Sequence, residues 1–386
     1  MNWWQRGWRP DHWVQDRERQ ERRRRKRRGF ARVMAFLGLL LVGGPAAFIG
    51  VVCSGSGTQL PRDLIAPFPM PARDEGRTFL RVPERLVVAQ DGEYAQHLAQ
   101  FRPSTFPYFT AAQDYWGAMS TACGVTTHEY AFDNSQQIAL GVLGAGYTAE
   151  QVLKGAYEGT LGRFVEWLQT TDTPEDRFAA ETARELARFE HGALWQQYPF
   201  FTRLKTLWLT TPAWGPHPLR KWERRVVLTV EFSVKSAGAW AGRLVAPAPA
   251  ERDLARLHAW VGGTTAAVLQ ANGAEVVSTV GPGSFIVTLP RGDAFMRSIV
   301  GLVGSGARVL DVAGNDEIVV VAVTRAGGAT APSGDQPPSG HVLASDPRLI
   351  DPSARRLTVR VPLAKLADVF TWLQARGATI EAIVDY

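Results

Sequence analysis

The chain has 386 residues, 45% of them hydrophobic and 21% charged, with a net charge of +6. That composition excludes a disordered or collagen-like protein, and only two cysteines exclude a disulfide-dense scaffold. The charge is uneven: residues 1–32 hold twelve Lys or Arg against four Asp or Glu, so everything after them is slightly acidic.

The basic tail also carries Trp3, Trp4, Trp8 and Trp13. Indole rings favour the headgroup layer and cations are drawn to anionic lipid, so residues 1–32 read as a cytoplasmic tail lying on a membrane. An uncharged run of 21 residues, 33–53, follows and matches the roughly 30 Å hydrocarbon core as a helix. A positive flank stays on the cytoplasmic side, which places the rest of the chain across the membrane. The expected location is the bacterial inner membrane, with the C-terminal domains periplasmic. Arg27, Arg28, Gly29 and Phe30 also resemble a twin-arginine export signal. The tail alone would suit nucleic acid, but a bilayer-length segment begins beside it, so no nucleic-acid partner is expected. Ala46 and Gly50 form a small-xxx-small pair that allows a homodimer through the span.

Residues 54–92 read as a spacer rich in Pro, Gly and Ser followed by a short extended segment. Residues 93–244 read as a helical domain. Phe109, Ala112, Trp116, Met119 and Cys123 are spaced as a buried helix face requires, which makes Cys123 a small core residue. Thr148 with Gln151 predicts a helix start, and Thr173 with Pro174 predicts another, whose apolar face is Phe178, Leu186, Phe189 and Ala193. A third helix is predicted from Pro218, with Leu219, Trp222, Val226, Val230, Val234, Ala237 and Trp240 along one face. Gly144-Ala145-Gly146 nominally matches a dinucleotide-binding turn. No second strand with an acidic end follows, so tight helix packing is the expectation.

Residues 245–386 read as a ferredoxin-like α/β sandwich built from two βαβ repeats. "VTLP" ending at Pro290 leads through a helical pattern to "GARV" at Gly306, and "VRVP" ending at Pro362 leads similarly to "GATI" at Gly377. The repeat places the strands at 284–289 and 356–361 in one sheet, with residues 325–354 as a flexible insertion. The fold class is therefore α+β: one N-terminal transmembrane helix, a mainly helical middle domain and this sandwich.

No nucleophile elbow, phosphate loop or metal-spaced His pair is present, so no catalytic residue, metal or cofactor is expected. Two His/carboxylate neighbours, His128 with Glu129 and Glu190 with His191, define the enzyme alternative, an envelope enzyme centred near His128, Glu158 and His191. A ligand sensor using the sandwich is a third reading. The candidate binding surface is "WGPHPLRKWERR", with Trp214, His217, Arg220, Lys221, Trp222, Arg224 and Arg225. Cations crowding the start of a helix need an anion. That anion is either the acidic helix carrying Glu175, Asp176, Glu181 and Glu185, or something external such as a lipid headgroup or an acidic partner. The layout is similar in outline to bitopic assembly proteins of bacterial secretion and division machines. That likeness implies a non-enzymatic scaffold positioning protein partners in the envelope.

Overall fold

The computed structural model describes residues 43–44, 47–51, 53, 81–129, 134–169, 172–191, 195–245, 256–325 and 336–384. These residues form a mixed α+β protein: helices first, then two antiparallel four-stranded sheets. The predicted tail and the predicted span up to residue 42 lie outside the described residues. Among the described residues no helix is long and apolar enough to cross a membrane.

The helical part comprises α1 (Arg81–Gln100), α2 (Tyr108–Glu129), α3 (Asn134–Tyr157), α4 (Arg163–Leu168), α5 (Pro174–Glu190), α6 (Phe200–Thr210) and α7 (Pro218–Val245), with a single π turn at Glu158–Gly162 joining α3 to α4. Helix α5 starts as predicted. The Thr173 hydroxyl accepts from the Asp176 N–H at 3.2 Å, and the Asp176 carboxylate accepts from the Thr173 N–H at 3.3 Å. Thr148, by contrast, is interior to α3 and caps nothing; its hydroxyl accepts from the Trp116 indole N–H at 2.9 Å. Gly144 lies against the ring of buried Tyr115, where a Cβ would collide, so this glycine serves packing.

Helix α7 departs from ordinary amphipathic logic. Its predicted apolar stripe is there, but Val226, Val230 and Val234 are exposed, Val230 at 59%. The face turned inward carries Arg220, Lys221, Arg224 and Arg225 together with Leu228 and Phe232.

The C-terminal half runs β1 (Arg256–Gly262), α8 (Ala266–Ala271), β2 (Glu275–Gly281), β3 (Ser284–Pro290), α9 (Asp293–Gly304) and β4 (Arg308–Val312), then β5 (Glu317–Arg325), β6 (His341–Pro347), β7 (Ala354–Pro362), α10 (Leu366–Ala375) and β8 (Thr379–Val384). The first sheet is ordered β2-β3-β1-β4 and the second β6-β7-β5-β8, with every neighbour antiparallel. The expected single sandwich is thereby corrected: the strands at 284–290 and 354–362 are β3 and β7, in different sheets. They occupy the same position in each, because the sequence repeat is the second half of a larger unit that occurs twice. The glycines behave as the repeat requires. Gly306 and Gly377 take left-handed φ of 84° and 63° as they release the chain from α9 and α10 into a strand, and Gly273 at 76° does the same after α8. Of the predicted flexible insertion 325–354, residues 326–335 lie outside the described residues, and the reading is corrected for His341–Pro347, which form β6, an edge strand paired with β7. One apolar core runs through both sheets, from Leu257 and Phe295 to Ile318, Val359, Phe370 and Val384.

Two joints tie the helices to the sheets. Buried Glu93 of α1 accepts the backbone N–H groups of Leu349 and Ile350 at 2.8 and 3.3 Å and pairs with Arg348 and Arg356 at 3.2 and 2.6 Å. Leu349 and Ile350 then pack with Phe106, Tyr115 and Tyr147. At the second joint His191 reaches Asp293 at 3.2 Å, and Gly292 at φ 73° sits under the His191 carbonyl, where a Cβ would intrude at 2.7 Å.

Residues 47–51 are helical and pack on α2 and α3 through Phe48 and Ile49. Cys53 and Cys123 form a disulfide, which corrects the reading of Cys123 as only a small core residue. It is buried, as its helix-face spacing predicted, and also bonded.

Candidate functional site

The cations singled out in the sequence are not a surface. Arg220 is fully buried and pairs with Asp176 at 2.8 Å, Glu223 at 3.1 Å and Glu166 at 3.4 Å. Arg224 makes a bidentate pair with Glu158 at 2.6 and 2.8 Å, and Lys221 and Arg225 share Glu175 at 3.1 and 2.9 Å. Arg225 also donates to the carbonyls of Thr211 and Pro212, capping the end of α6. Thus Glu175 and Asp176 of α5 supply the anion, joined by Glu158, Glu166 and Glu223; Glu181 and Glu185 take no part in this network. The external-anion role is corrected for these four residues: each already holds carboxylates inside the fold, where water does not compete. Trp214 and His217 remain exposed, and His217 takes a left-handed φ of 59° just before the helix. The Trp222 ring stands edge-on to Trp214 and Trp208, with the Arg225 guanidinium against it.

A second ionic cluster, missed by sequence reasoning, floors a groove between α3 and α7. Lys154 lies 2.8 Å from both Glu150 and Glu231, and Lys235 lies 2.9 and 3.3 Å from the same two carboxylates. Burial works against the charge of Glu150, but Lys154 and Lys235 outweigh it and hold the carboxyl below its usual range. Beside them lie Asp91 of α1 and Glu190 of α5. Burial, augmented by Glu150 and opposed by Lys235, pushes Asp91 up to about 6. Burial and then Asp91, which also hydrogen-bonds it, push Glu190 up to about 9, and the Glu190 Oε2 has no hydrogen-bond partner among the described residues. Four carboxyl groups therefore face two ammonium groups, and the imbalance is eased by the proton that Glu190 keeps at neutral pH in its hydrogen bond with Asp91.

The groove encloses about 2070 Å³. Its walls are apolar: Val142, Leu143 and Leu153 from α3, and Val226, Val230 and Val234 from α7. The only sequence signal was the α7 stripe, which by itself reads as a core-facing surface.

The enzyme alternative gains no assembled centre. Glu158 is held by Arg224, His191 lies at the groove's edge facing Asp293, and the His128 side chain lies outside the described residues. Among the described residues no group of three His, Cys, Asp or Glu could hold a metal ion.

These features define the class: an α+β protein with two antiparallel sheets and a helical part carrying an open groove with an ionic floor. No family model, curated protein or solved structure matches the chain.

Proposed function

We propose that the chain is a single-pass, membrane-anchored envelope protein that acts as a non-enzymatic scaffold, positioning partner proteins through its extracytoplasmic domains. One observation carries the scaffold reading: the apolar stripe of α7 faces an open groove instead of the core. Water-facing apolar stripes of this extent mark surfaces that another molecule covers. The anchor reading rests on the basic tail and the uncharged run 33–53. The Cys53–Cys123 disulfide supports the placement, because such bonds persist in oxidising compartments such as the periplasm. With Phe48, Ile49 and Cys53 seated on α2 and α3, the span would emerge directly onto the helical domain. Each sheet, ordered β2-β3-β1-β4 or β6-β7-β5-β8, is assigned on this reading to a ferredoxin-like module, with the first helix of the second module replaced by the connection between β5 and β6.

The test is topological. A reporter active only in the cytoplasm, fused after Tyr386, should be silent, and one active only outside should report. The opposite pattern overturns the anchor orientation.

A further inference from the structure

The groove has the form of a helix-binding site. On α7 the wall steps through Val226, Val230, Val234 and Gly238, and on α3 it passes Val142, Gly146 and Leu153. The α7 positions form a ridge of four-residue steps, the pattern that interdigitates with a third helix. Gly146 has open space where a side chain would project, so a guest backbone can approach closely. The volume of 2070 Å³ is well above the roughly 300–1,000 Å³ of small-molecule sites. A helix about 10 Å across and roughly 25 Å long fills a space of that order.

The floor selects the charge of the guest. Asp91, Glu150, Glu190 and Glu231 cluster around Lys154 and Lys235. Glu190, exposed at 8%, lines the groove with an oxygen that no group of the described residues satisfies. A buried carboxyl oxygen without a donor is unfavourable, and an entering ammonium or guanidinium would satisfy it. We infer that the groove takes an amphipathic helix of a partner protein, with apolar side chains against α3 and α7 and a Lys or Arg reaching Glu190 and Asp91. This deepens the scaffold reading by naming its partner's chemistry, but it does not depend on membrane topology. A reporter result that overturned the envelope orientation would leave it standing.

The full chain in neutral detergent is titrated against a fluorescent amphipathic peptide of about 18 residues made of Leu and Lys. A peptide with every Lys replaced by Glu is the control. Saturable one-to-one binding is expected, at least tenfold tighter than the Glu peptide, and Glu190→Gln and Val230→Asp should each weaken it at least tenfold. Binding should tighten as pH rises from 6 to 9, as Asp91 and Glu190, faced by Lys235, Glu150 and Lys154, lose protons to solvent and become carboxylates that pair with the guest cation. Circular dichroism verifies that each variant is folded, with Asp91→Asn as the substitute if Glu190→Gln is not. Equal binding of the Glu peptide, or wild-type binding by the folded variants, overturns the proposal. Full displacement of the peptide by one equivalent of dodecylamine also overturns it, in favour of a small-amphiphile pocket.

Discussion

Burial and the neighbouring Asp91 carboxyl raise Glu190 from the ordinary 4.5 to about 9, whereas the buried arginines of α7 meet carboxylates at every turn. The two situations predict opposite responses to neutralisation. A carboxyl whose folded pKa is raised holds a proton that the unfolded chain has released, so its contribution to stability falls as pH climbs from about 5 to 9. Glu190→Gln removes that penalty. It should stabilise the protein at pH 8 by on the order of 1–3 kcal/mol and change little at pH 5, read from urea midpoints at the two pH values. Arg224→Gln should do the reverse. It strands Glu158 and weakens the contacts to Asp176 and Glu166, and removing one partner of a buried pair costs about 3–5 kcal/mol. The same urea titration should show a loss of that size at neutral pH. A variant with wild-type stability would mean that water reaches the network.

At the scale of elements, the bond between Cys53 and Cys123 closes a loop across a separation of 70 residues. In the chain-entropy account a loop of that size limits the unfolded ensemble by about 4 kcal/mol. Cys123→Ser should therefore lower stability by roughly 2–4 kcal/mol and release Phe48, Ile49 and residue 53 from α2 and α3. Hydrogen exchange would show the release as faster exchange of the Cys53 amide, which donates to the Ile49 carbonyl at 2.9 Å. Protection unchanged from wild type would show that Phe48 and Ile49 hold the segment without the bond. Helix α7 illustrates a second point at this scale. Periodicity identified an amphipathic helix and its apolar stripe, yet the polar face is the buried one, because α4, α5 and the π turn bring Glu158, Glu166, Glu175 and Asp176 to it.

Across the whole molecule, Glu93 is the latch between helices and sheets. It accepts two backbone N–H groups and pairs with two arginines contributed by the second sheet and its loop. Arg356 keeps Glu381 at 2.6 Å if Glu93 is lost, so the sheet itself should survive. Glu93→Ala is expected to cost about 3–5 kcal/mol at the joint and to split one thermal transition into two, as the helical and sheet parts unfold separately. Calorimetry is the measurement; a single, unshifted transition would show that the apolar contacts of Leu349 and Ile350 suffice.

The local periodicities of the chain determined its element types: the capping box at Thr173, the helix from Pro218, and the strand-helix-glycine-strand repeat with its left-handed glycines at 306 and 377. Those signals are short-range and survive being read one residue after another. Tertiary structure alone decided the partners. The repeat at 290 and 362 reads equally well as two halves of one sheet or as matching parts of two. Strand pairing chose the latter, because β1 and β5 each supply a central strand for their own sheet. The cations at 220–225 were visible as a cluster needing an anion, but which anion depended on how α5 and α7 cross. The groove's acid pair was invisible, since Asp91 and Glu190 stand 99 positions apart and their pKa values rise only when folding removes water from both.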